Sequence, residues 1–341
     1  MMFLSRAESS YLHQHLSVVR HVTLDPEGPG VLRIHLLPCK KARRNVPFVA
    51  LLNGQDILPL SVSWAILLAG LMDALQPFEG KEITEDQWAD IAAQAVETAA
   101  AVYPKTAPDQ IRADLNAMLT SFRALTAGQE PPVHVQPMDL GAYARYMAAP
   151  HRMDLMVSSM EKDGAWHCNQ KCLHCYAANQ PLSAVPEMDT DQWLAVIEKC
   201  RSIGIPQLTF TGGEPTLYPS LPDLLRRIRR MGFLVKLDSN GSVPEMLEHL
   251  LREKLLDYVA MDIKNAPSRY AETCGADVIE QVEKSAALLK NSNIDYEFRT
   301  TVCHPFHSPD GMQEIGRWLC GAKRYFIQPF VDSGNLLGSG V

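Results

Sequence analysis

One short stretch of sequence decides the interpretation of this chain: Trp166-His167-Cys168-Asn169-Gln170-Lys171-Cys172-Leu173-His174-Cys175-Tyr176. A single loop of this length can present all three cysteine thiolates to one compact inorganic cluster. A four-iron cluster is normally held by four cysteines, so three local ligands would leave one iron free for a small molecule. An open coordination position is typical of a catalytic metal centre rather than a structural one.

A structural zinc site is the alternative for the same residues. Zinc is commonly held by three cysteines and one histidine, and either His167 or His174 could supply the fourth ligand. The other five cysteines are scattered along the chain, and free cysteine is a common buried apolar residue. The wide spacing of Cys274, Cys303 and Cys320 argues against a second cluster.

A glycine-rich turn follows about forty residues after the cysteine loop. Thr211-Gly212-Gly213-Glu214-Pro215 comes directly after the strand-like run Gln207–Phe210. Adjacent glycines let a ligand approach the backbone closely, and a neighbouring carboxylate suits an ammonium group. An ordinary turn between a strand and a helix would have the same composition.

The second half of the chain alternates between strand-like and helical segments. Apolar runs resembling strands are Met153–Ser158, Gln207–Thr211, Phe233–Leu237, Tyr258–Ile263, Ile294–Val302 and Arg324–Ile327. Helical segments between them are Asp191–Ile203, Leu221–Met231, Pro244–Leu255, Val278–Asn291 and Gly311–Leu319. This alternation predicts an α/β fold, a partial (β/α)6 TIM-like barrel with functional groups at the carboxyl ends of its strands.

The first half of the chain has a different pattern of apolar residues. Short apolar runs between residues 31 and 60, broken by Asn53-Gly54, predict strands, and three helical segments follow over residues 60–125. We therefore expect a small, mostly helical module over residues 1–127, with a winged-helix-like pattern and a role in binding a partner or peptide. Residues 128–150, which include Pro131-Pro132, are predicted to be a linker, and the barrel should occupy residues 151–341.

The two motifs together make residues 153–330 resemble the radical S-adenosylmethionine superfamily. The resemblance implies a [4Fe–4S] cluster held by Cys168, Cys172 and Cys175, with S-adenosylmethionine bound at the fourth iron. It further implies that the cofactor's amino group is received at the turn formed by Gly212, Gly213, Glu214 and Pro215. Zinc accounts for only one of the two motifs.

Two further segments resemble the activating enzymes of glycyl-radical proteins, especially the anaerobic ribonucleotide reductase group. They are Leu237-Asp238-Ser239-Asn240-Gly241 and Asp257–Lys264. The resemblance implies that Asp238, Ser239, Asn240 and Asp262 lie near the methionine end of the cofactor, where some relatives hold a monovalent cation. It also implies that Lys264 points into the barrel mouth, that Arg299 pairs with the cofactor carboxylate or forms a barrel salt bridge, and that Tyr176 borders the adenine.

The resemblance implies reductive cleavage of S-adenosylmethionine and hydrogen abstraction, with flavodoxin or ferredoxin as reductant. Activation of a glycyl-radical enzyme is the first hypothesis. The preceding module motivates the second, modification of a precursor peptide or a small metabolite. The third is a non-catalytic cluster or zinc protein.

Composition restricts the remaining possibilities. The net charge of −7 disfavours nucleic acid and anionic membranes as general partners, while 46% hydrophobic residues suffice for a sizeable core. The most apolar run, residues 60–75, is shorter than the ~20 residues that span a membrane. Because the first twenty residues lack the pattern of a secretory signal, we expect a cytoplasmic protein.

Overall fold

The computed structural model describes residues 4–17, 19–24, 32–37, 48–78, 82–158, 161–162, 165–175, 188–304 and 306–331. The chain divides into two compact units. One comprises residues 1–151 with 198–206, and the other comprises residues 152–197 with 207–341. None of the described helices is both long and apolar enough to cross a membrane.

The first unit contains an antiparallel sheet whose strand order follows the chain. Its described strands are β1 (Arg20–Leu24), β2 (Leu32–Leu37), β3 (Phe48–Leu52) and β4 (Asp56–Leu60). Asn53 and Gly54 both have positive φ and turn the chain from β3 into β4. The Asn-Gly pair predicts this hairpin because both residue types tolerate that backbone conformation.

Helices complete the first unit: α1 (Arg6–His15), α2 (Val62–Leu75), α3 (Glu85–Val102), α4 (Pro108–Thr126) and α5 (Leu140–Ala144). Helix α2 is buried over most of its surface because α3, α4 and the sheet contact it. Thr84 starts α3 with a capping box: the Thr84 hydroxyl accepts a hydrogen bond from the Gln87 backbone amide, and the Gln87 side chain accepts one from the Thr84 backbone amide. The sequence pattern did not predict α1 or β1, since polar residues predominate there.

The stretch expected to be a linker contains ordered structure. Helix α5 lies within it, and the Met138 amide donates to the Ile57 carbonyl at 2.8 Å. Tyr143 is buried. Residues 128–150 are therefore attached to the first unit through β4 and α5.

The second unit is built on a parallel sheet of six described strands. Their spatial order, β5-β8-β9-β10-β11-β12, is also their order along the chain, as in a partial (β/α)6 barrel. The strands of this unit, including a short hairpin of β6 and β7, are β5 (Arg152–Ser158), β6 (Glu161–Lys162), β7 (Ala165–Trp166), β8 (Gln207–Gly212), β9 (Leu234–Ser239), β10 (Tyr258–Asp262), β11 (Asp295–Val302) and β12 (Tyr325–Pro329).

Helices connect these strands: α6 (Thr190–Ile203), α7 (Leu221–Arg230), α8 (Pro244–Arg252), α9 (Tyr270–Cys274), α10 (Ile279–Lys290) and α11 (Pro309–Trp318). The sequence predicted all of them except the five-residue α9, and it predicted all six strands of the parallel sheet. The predicted α/β class and partial barrel are confirmed.

The strands of the parallel sheet separate apolar from charged side chains. In β9, Val235 and Leu237 are buried, whereas the alternating residues Lys236 and Asp238 stay partly exposed. Strand β11 repeats the alternation, with Phe298 buried beside the partly exposed Arg299. Because alternate residues of a strand face opposite sides, one face of the sheet is apolar and the other carries the charges.

Strand β8 ends where the chain approaches β5 too closely for a side chain. Gly212 has φ of 132°, and a Cβ there would lie 2.0 Å from the carbonyl oxygen of Ser158. The next amide, of Gly213, donates to that same carbonyl at 2.8 Å. Glycine is therefore required at position 212 by the backbone alone.

We expect the substitution Gly212→Ala to lower the free energy of unfolding of the cluster-free protein by roughly 1–3 kcal/mol or more, because it adds a clash to a strained φ. Chemical denaturation measures the effect. Gly316→Ala is the matched control, since a Cβ at Gly316 in α11 meets nothing within 4 Å. The control should raise the free energy of unfolding by about 0.4–1 kcal/mol. Equal effects of the two substitutions would contradict the conclusion that the backbone requires glycine at position 212.

Candidate active site

The cysteine loop is attached to the segment that ends α9. The Lys171 amide donates to the Cys274 carbonyl at 2.7 Å, and the Leu173 amide donates to the Thr273 carbonyl at 3.3 Å. These two bonds flank Cys172. Within the loop, the Cys175 amide donates to the Cys172 carbonyl at 2.9 Å. The loop thus has a fixed path before any cluster is considered.

The three thiols of this loop are free cysteines of unequal exposure. Cys168 and Cys175 are partly exposed, whereas Cys172 is buried. Burial raises the pKa of Cys172 to about 12, although the Lys264 ammonium opposes the increase. Burial also raises the pKa of Cys168. Both thiols are therefore protonated at neutral pH in the protein alone, and iron binding must displace their protons.

The donor set suits a [4Fe–4S] cluster. Cys168, Cys172 and Cys175 would hold three of its irons, and these thiols come from one anchored loop beside the carboxyl ends of parallel strands. Among the described residues, no three His, Cys, Asp or Glu side chains are grouped as ligands of a single metal ion. Cluster ligands bind separate irons, so they do not need to converge on one point.

His174, one of the two histidines considered for zinc, lies between two of the cysteines. Burial, with smaller contributions from Lys264 and His307, lowers the pKa of His174 to about 4, so its ring is neutral at neutral pH. Its Nδ1 atom is buried and makes no hydrogen bond to any described residue. His174 therefore retains an unused polar atom beside the cluster loop.

Glu214 is fully buried and holds the glycine-rich turn to β9. Its Oε1 accepts from the Thr216 amide at 3.1 Å, the Thr216 hydroxyl at 2.5 Å and the Ser239 hydroxyl at 2.9 Å. Its Oε2 accepts from the Asn240 amide at 2.6 Å. Burial raises the pKa of Glu214, and these four donors oppose the increase. Donors within the protein thus use much of the hydrogen-bonding capacity of the Glu214 carboxylate, which the resemblance assigns to binding of the cofactor's amino group.

A ring of three side chains continues this network into the cysteine loop. The Asn169 amide group donates to the Ser242 hydroxyl at 2.7 Å, and that hydroxyl donates to Asn240 Oδ1. The Asn240 amide group closes the ring by donating to Asn169 Oδ1 at 3.1 Å. Asn169 lies between Cys168 and Cys172, so the ring fixes the loop to the turn that follows β9.

A charged group lies at the same ends of β9, β10 and β11. Asp262 Oδ1 accepts from Arg299 Nε at 2.9 Å, and its Oδ2 lies 2.9 Å from Lys264 Nζ. Burial alone would raise the pKa of Asp262, but Lys264 and Arg299 outweigh burial and lower it. Burial lowers the pKa of Lys264, yet Asp262 reverses this and the net change is an increase. All three groups are therefore charged at neutral pH.

Asp238 is neutralised in the same way from two sides. Its Oδ2 lies 3.5 Å from an Arg299 nitrogen, and its Oδ1 lies 2.9 Å from Lys236 Nζ. Arg299 thus forms the barrel salt bridges that the sequence allowed as one of its two roles. Because every oxygen of Asp238 and Asp262 already faces an internal cation, these residues do not fit a bound monovalent cation.

The structure brings together most of the residues selected from sequence. Gly212, Gly213, Glu214, Ser239 and Asn240 meet where β8 and β9 end, and Pro215 starts the short helical turn behind them. Asp238, Asp262, Lys264 and Arg299 form the charged group. Tyr176 lies outside the described residues. The roles of these residues toward the cofactor remain predictions.

Sequence reasoning missed several residues that hold this site. They are Asn169, Thr216, Lys236, Ser242 and the backbone of Thr273 and Cys274. Lys236 carried a usable signal, since it precedes Asp238 by two positions and so shares its face of the strand. The others act through contacts between distant segments, which periodicity does not reveal.

We expect Cys172→Ala to abolish assembly of the cluster, because it removes the buried ligand between the two backbone bonds to α9. Iron and sulfide content after anaerobic reconstitution measures this. Cys200→Ala is the control, since Cys200 is also buried but belongs to α6. Full cluster content in Cys172→Ala would contradict the assignment, as would equal loss in the control.

We expect Glu214→Gln to lower the free energy of unfolding by about 1–3 kcal/mol, because the new amide group must face a hydrogen-bond donor in either orientation. Chemical denaturation of the cluster-free protein measures the change. Glu248→Gln, at an exposed position of α8, should stay within about 0.5 kcal/mol of the parent. A Glu214→Gln protein as stable as this control would show that the four hydrogen bonds do not stabilise the fold.

Comparison with known proteins agrees with this geometry. Residues 167–319 match the family model described as the Radical SAM superfamily. A Methanocaldococcus jannaschii protein, provisionally named as a glycyl-radical enzyme activating enzyme, is 30% identical over 169 residues, which cover 48% of this chain and 69% of that protein. A PqqA peptide cyclase from Streptomyces rochei is 33% identical over 111 residues, 31% of this chain and 30% of the cyclase.

Among solved structures, Streptococcus suis SuiB bound to S-adenosylmethionine is similar in fold, with a TM-score of 0.51 and 14% identity. The match covers 85% of this chain and 62% of SuiB. The chain thus spans less than two thirds of SuiB and less than a third of the peptide cyclase. Its similarity to the Methanocaldococcus jannaschii protein over most of that relative's length, together with the family match, is sufficient: the chain belongs to the radical S-adenosylmethionine superfamily of [4Fe–4S]-dependent enzymes.

Proposed function

We propose that this enzyme abstracts a hydrogen atom from a glycine α-carbon of a partner protein and thereby activates a glycyl-radical enzyme. The observation that carries the proposal is the similarity to the Methanocaldococcus jannaschii protein, whose name assigns it to that activity. The charged group at the ends of β9, β10 and β11 is consistent with it, because the segments that form this group resemble the same class of activating enzymes.

The open side of the barrel supports a polypeptide substrate. The described strands show no pairing between β5 and β12, so the sheet has a free edge at β12. On that edge, the side chains of Phe326 and Ile327 are 48% and 61% exposed. Phe326 is in register with Arg299 of the charged group. A polypeptide can therefore reach the strand ends from this side without entering a closed barrel.

When bound, the [4Fe–4S] cluster and S-adenosylmethionine would supply the difficult chemistry, one-electron reductive cleavage followed by hydrogen-atom abstraction from the substrate. The protein's part is to fix the reacting groups. The anchored cysteine loop would hold the cluster, and the turn formed by Gly212, Gly213 and Glu214 would bind the cofactor's amino group. The cations Lys264 and Arg299 would offset the charge of the cofactor carboxylate.

A specific observation favours a second candidate, modification of a precursor peptide. The match to SuiB covers more of this chain than the barrel alone occupies, so it extends into the first unit. SuiB has also been solved with a precursor peptide bound, and that structure matches with a TM-score of 0.50. The first unit, with its small antiparallel sheet, would then select the peptide. In either case we propose a cytoplasmic enzyme reduced by flavodoxin or ferredoxin.

The deciding experiment follows a deuterium label. The reconstituted enzyme is incubated anaerobically with dithionite, S-adenosylmethionine and a glycyl-radical enzyme from the same organism that carries α-deuterated glycine. We expect deuterium in the 5′-deoxyadenosine and a glycyl-radical signal in the partner's electron paramagnetic resonance spectrum. The Cys172→Ala protein should give neither, since it lacks the cluster.

The same assay distinguishes the candidates. If unlabelled 5′-deoxyadenosine forms and the partner acquires no radical, glycyl-radical activation is wrong. Short precursor peptides encoded beside the gene would then be tested by mass spectrometry for loss of hydrogen or formation of a cross-link. A well-formed cluster that yields no 5′-deoxyadenosine with any substrate would contradict catalysis altogether.

A further inference from the structure

The two carboxylates near the cofactor site are surrounded by three cationic side chains. Arg299 contacts both Asp238 and Asp262, Lys264 contacts Asp262, and Lys236 contacts Asp238. The Lys236 contact is electrostatic, because Asp238 Oδ1 makes no well-directed hydrogen bond. Glu297 lies on β11, two residues before Arg299. Its carboxylate is 3.9 Å from the Arg299 guanidinium and accepts a hydrogen bond from the Tyr258 hydroxyl at 2.7 Å.

This arrangement opposes the binding of a further positive ion. Sodium and potassium are bound by oxygen ligands such as backbone carbonyls and carboxylates, and a carboxylate already paired with an internal cation attracts a further ion less strongly. Here three internal cations, Lys236, Lys264 and Arg299, face three carboxylates, those of Asp238, Asp262 and Glu297, and all of these charged side chains are at most one-third exposed. Charges so close together are poorly screened by salt, so an added cation would meet carboxylates whose charge is already balanced by internal cations.

We propose that Lys236 takes the place of a monovalent cation in this enzyme, so that binding of S-adenosylmethionine does not require sodium or potassium. The Lys236 ammonium holds the charge that a bound ion would otherwise supply beside Asp238. The inference concerns the charge of the site and does not depend on which substrate is modified.

Lys236 is suited to this role for two reasons. It belongs to β9 itself, two residues before Asp238, so the strand brings its ammonium to the carboxylate without a loop rearrangement. Its Nζ also lies 5.9 Å from the centre of the Tyr258 ring, a distance at which the ring attracts a cation. Lys264 and Arg299, in contrast, are expected to act on the cofactor.

Replacing Lys236 with methionine tests the proposal, because methionine keeps much of the apolar stem and removes the charge. Affinity for S-adenosylmethionine is measured anaerobically on the cluster-loaded protein in sodium, potassium or tetramethylammonium chloride at equal ionic strength. The parent should bind equally in all three salts. Lys236→Met should bind on the order of tenfold more tightly in sodium or potassium than in tetramethylammonium, through coupling between the two ligands.

A matched control separates this role from a general effect of losing a lysine. Lys323 lies 5.6 Å from the centre of the Tyr296 ring, in a similar aromatic contact that does not involve Asp238. Lys323→Met and the charge-conserving Lys236→Arg should both behave as the parent does. A Lys236→Met protein whose affinity for S-adenosylmethionine is the same in all three salts would overturn the proposal, and Lys236 would then only form a structural ion pair with Asp238.

Direct ion binding gives a second readout that does not require a folded variant. Sodium-23 relaxation is measured on the parent enzyme, with potassium as competitor. We expect no saturable sodium site that potassium displaces. Such a site in the parent, or an affinity for S-adenosylmethionine that depends on sodium or potassium, would overturn the proposal whatever the variants do.

Discussion

A buried carboxylate, that of Glu214, is the constraint on which the rest of the site depends. It accepts four hydrogen bonds from Thr216, Ser239 and Asn240. It therefore joins the ends of β8 and β9 beyond the last backbone pair between the two strands, Phe210 with Leu237. A buried carboxylate without such donors would cost several kcal/mol. Because Asn240 also donates to Asn169, the position of the cysteine loop follows from the same acid. Together with the backbone bonds from the loop to Thr273 and Cys274, a residue that is not itself a ligand therefore helps to position the cluster ligands.

The sequence could predict the elements and motifs of this site but not the contacts that connect them. Six strands, the cysteine loop and the glycine pair all leave local signals, and the structure contains each of them. The ring of Asn169, Asn240 and Ser242 leaves none, since Asn169 lies 71 and 73 positions from the other two residues. Glu214 shows the same limit: its place in the motif indicated a ligand for an ammonium group, whereas the structure gives its oxygens internal donors first. Helix α9, only five residues long, is too short to leave a periodic pattern, although its carboxyl end anchors the loop.

The charged face of the sheet follows from the alternation of its strands. Burial of Val235, Leu237 and Phe298 places Lys236, Asp238 and Arg299 on the opposite face, where the strand register brings them together. Opposite charges on this face offset the cost of removing each from water, while a single unpaired charge there would be strongly destabilising. The packing of the apolar face thus determines where these charged side chains lie, and with them the electrostatic potential of the site.

Choice of substrate must have a different origin from the chemistry. The matching region of the chain is shared with a relative named as an activating enzyme and with a peptide cyclase. A core common to proteins with such different names cannot by itself select among their substrates. The exposed edge strand β12 and residues 1–151 of the first unit lie outside the region that matches the family model. The first unit has its own hydrophobic core, built by α2, α3, α4 and the antiparallel sheet. Because none of the residues of that core belongs to the network of Glu214 and the cysteine loop, surface residues of the first unit can change without disturbing that network, and we propose that selectivity for the substrate resides in the first unit.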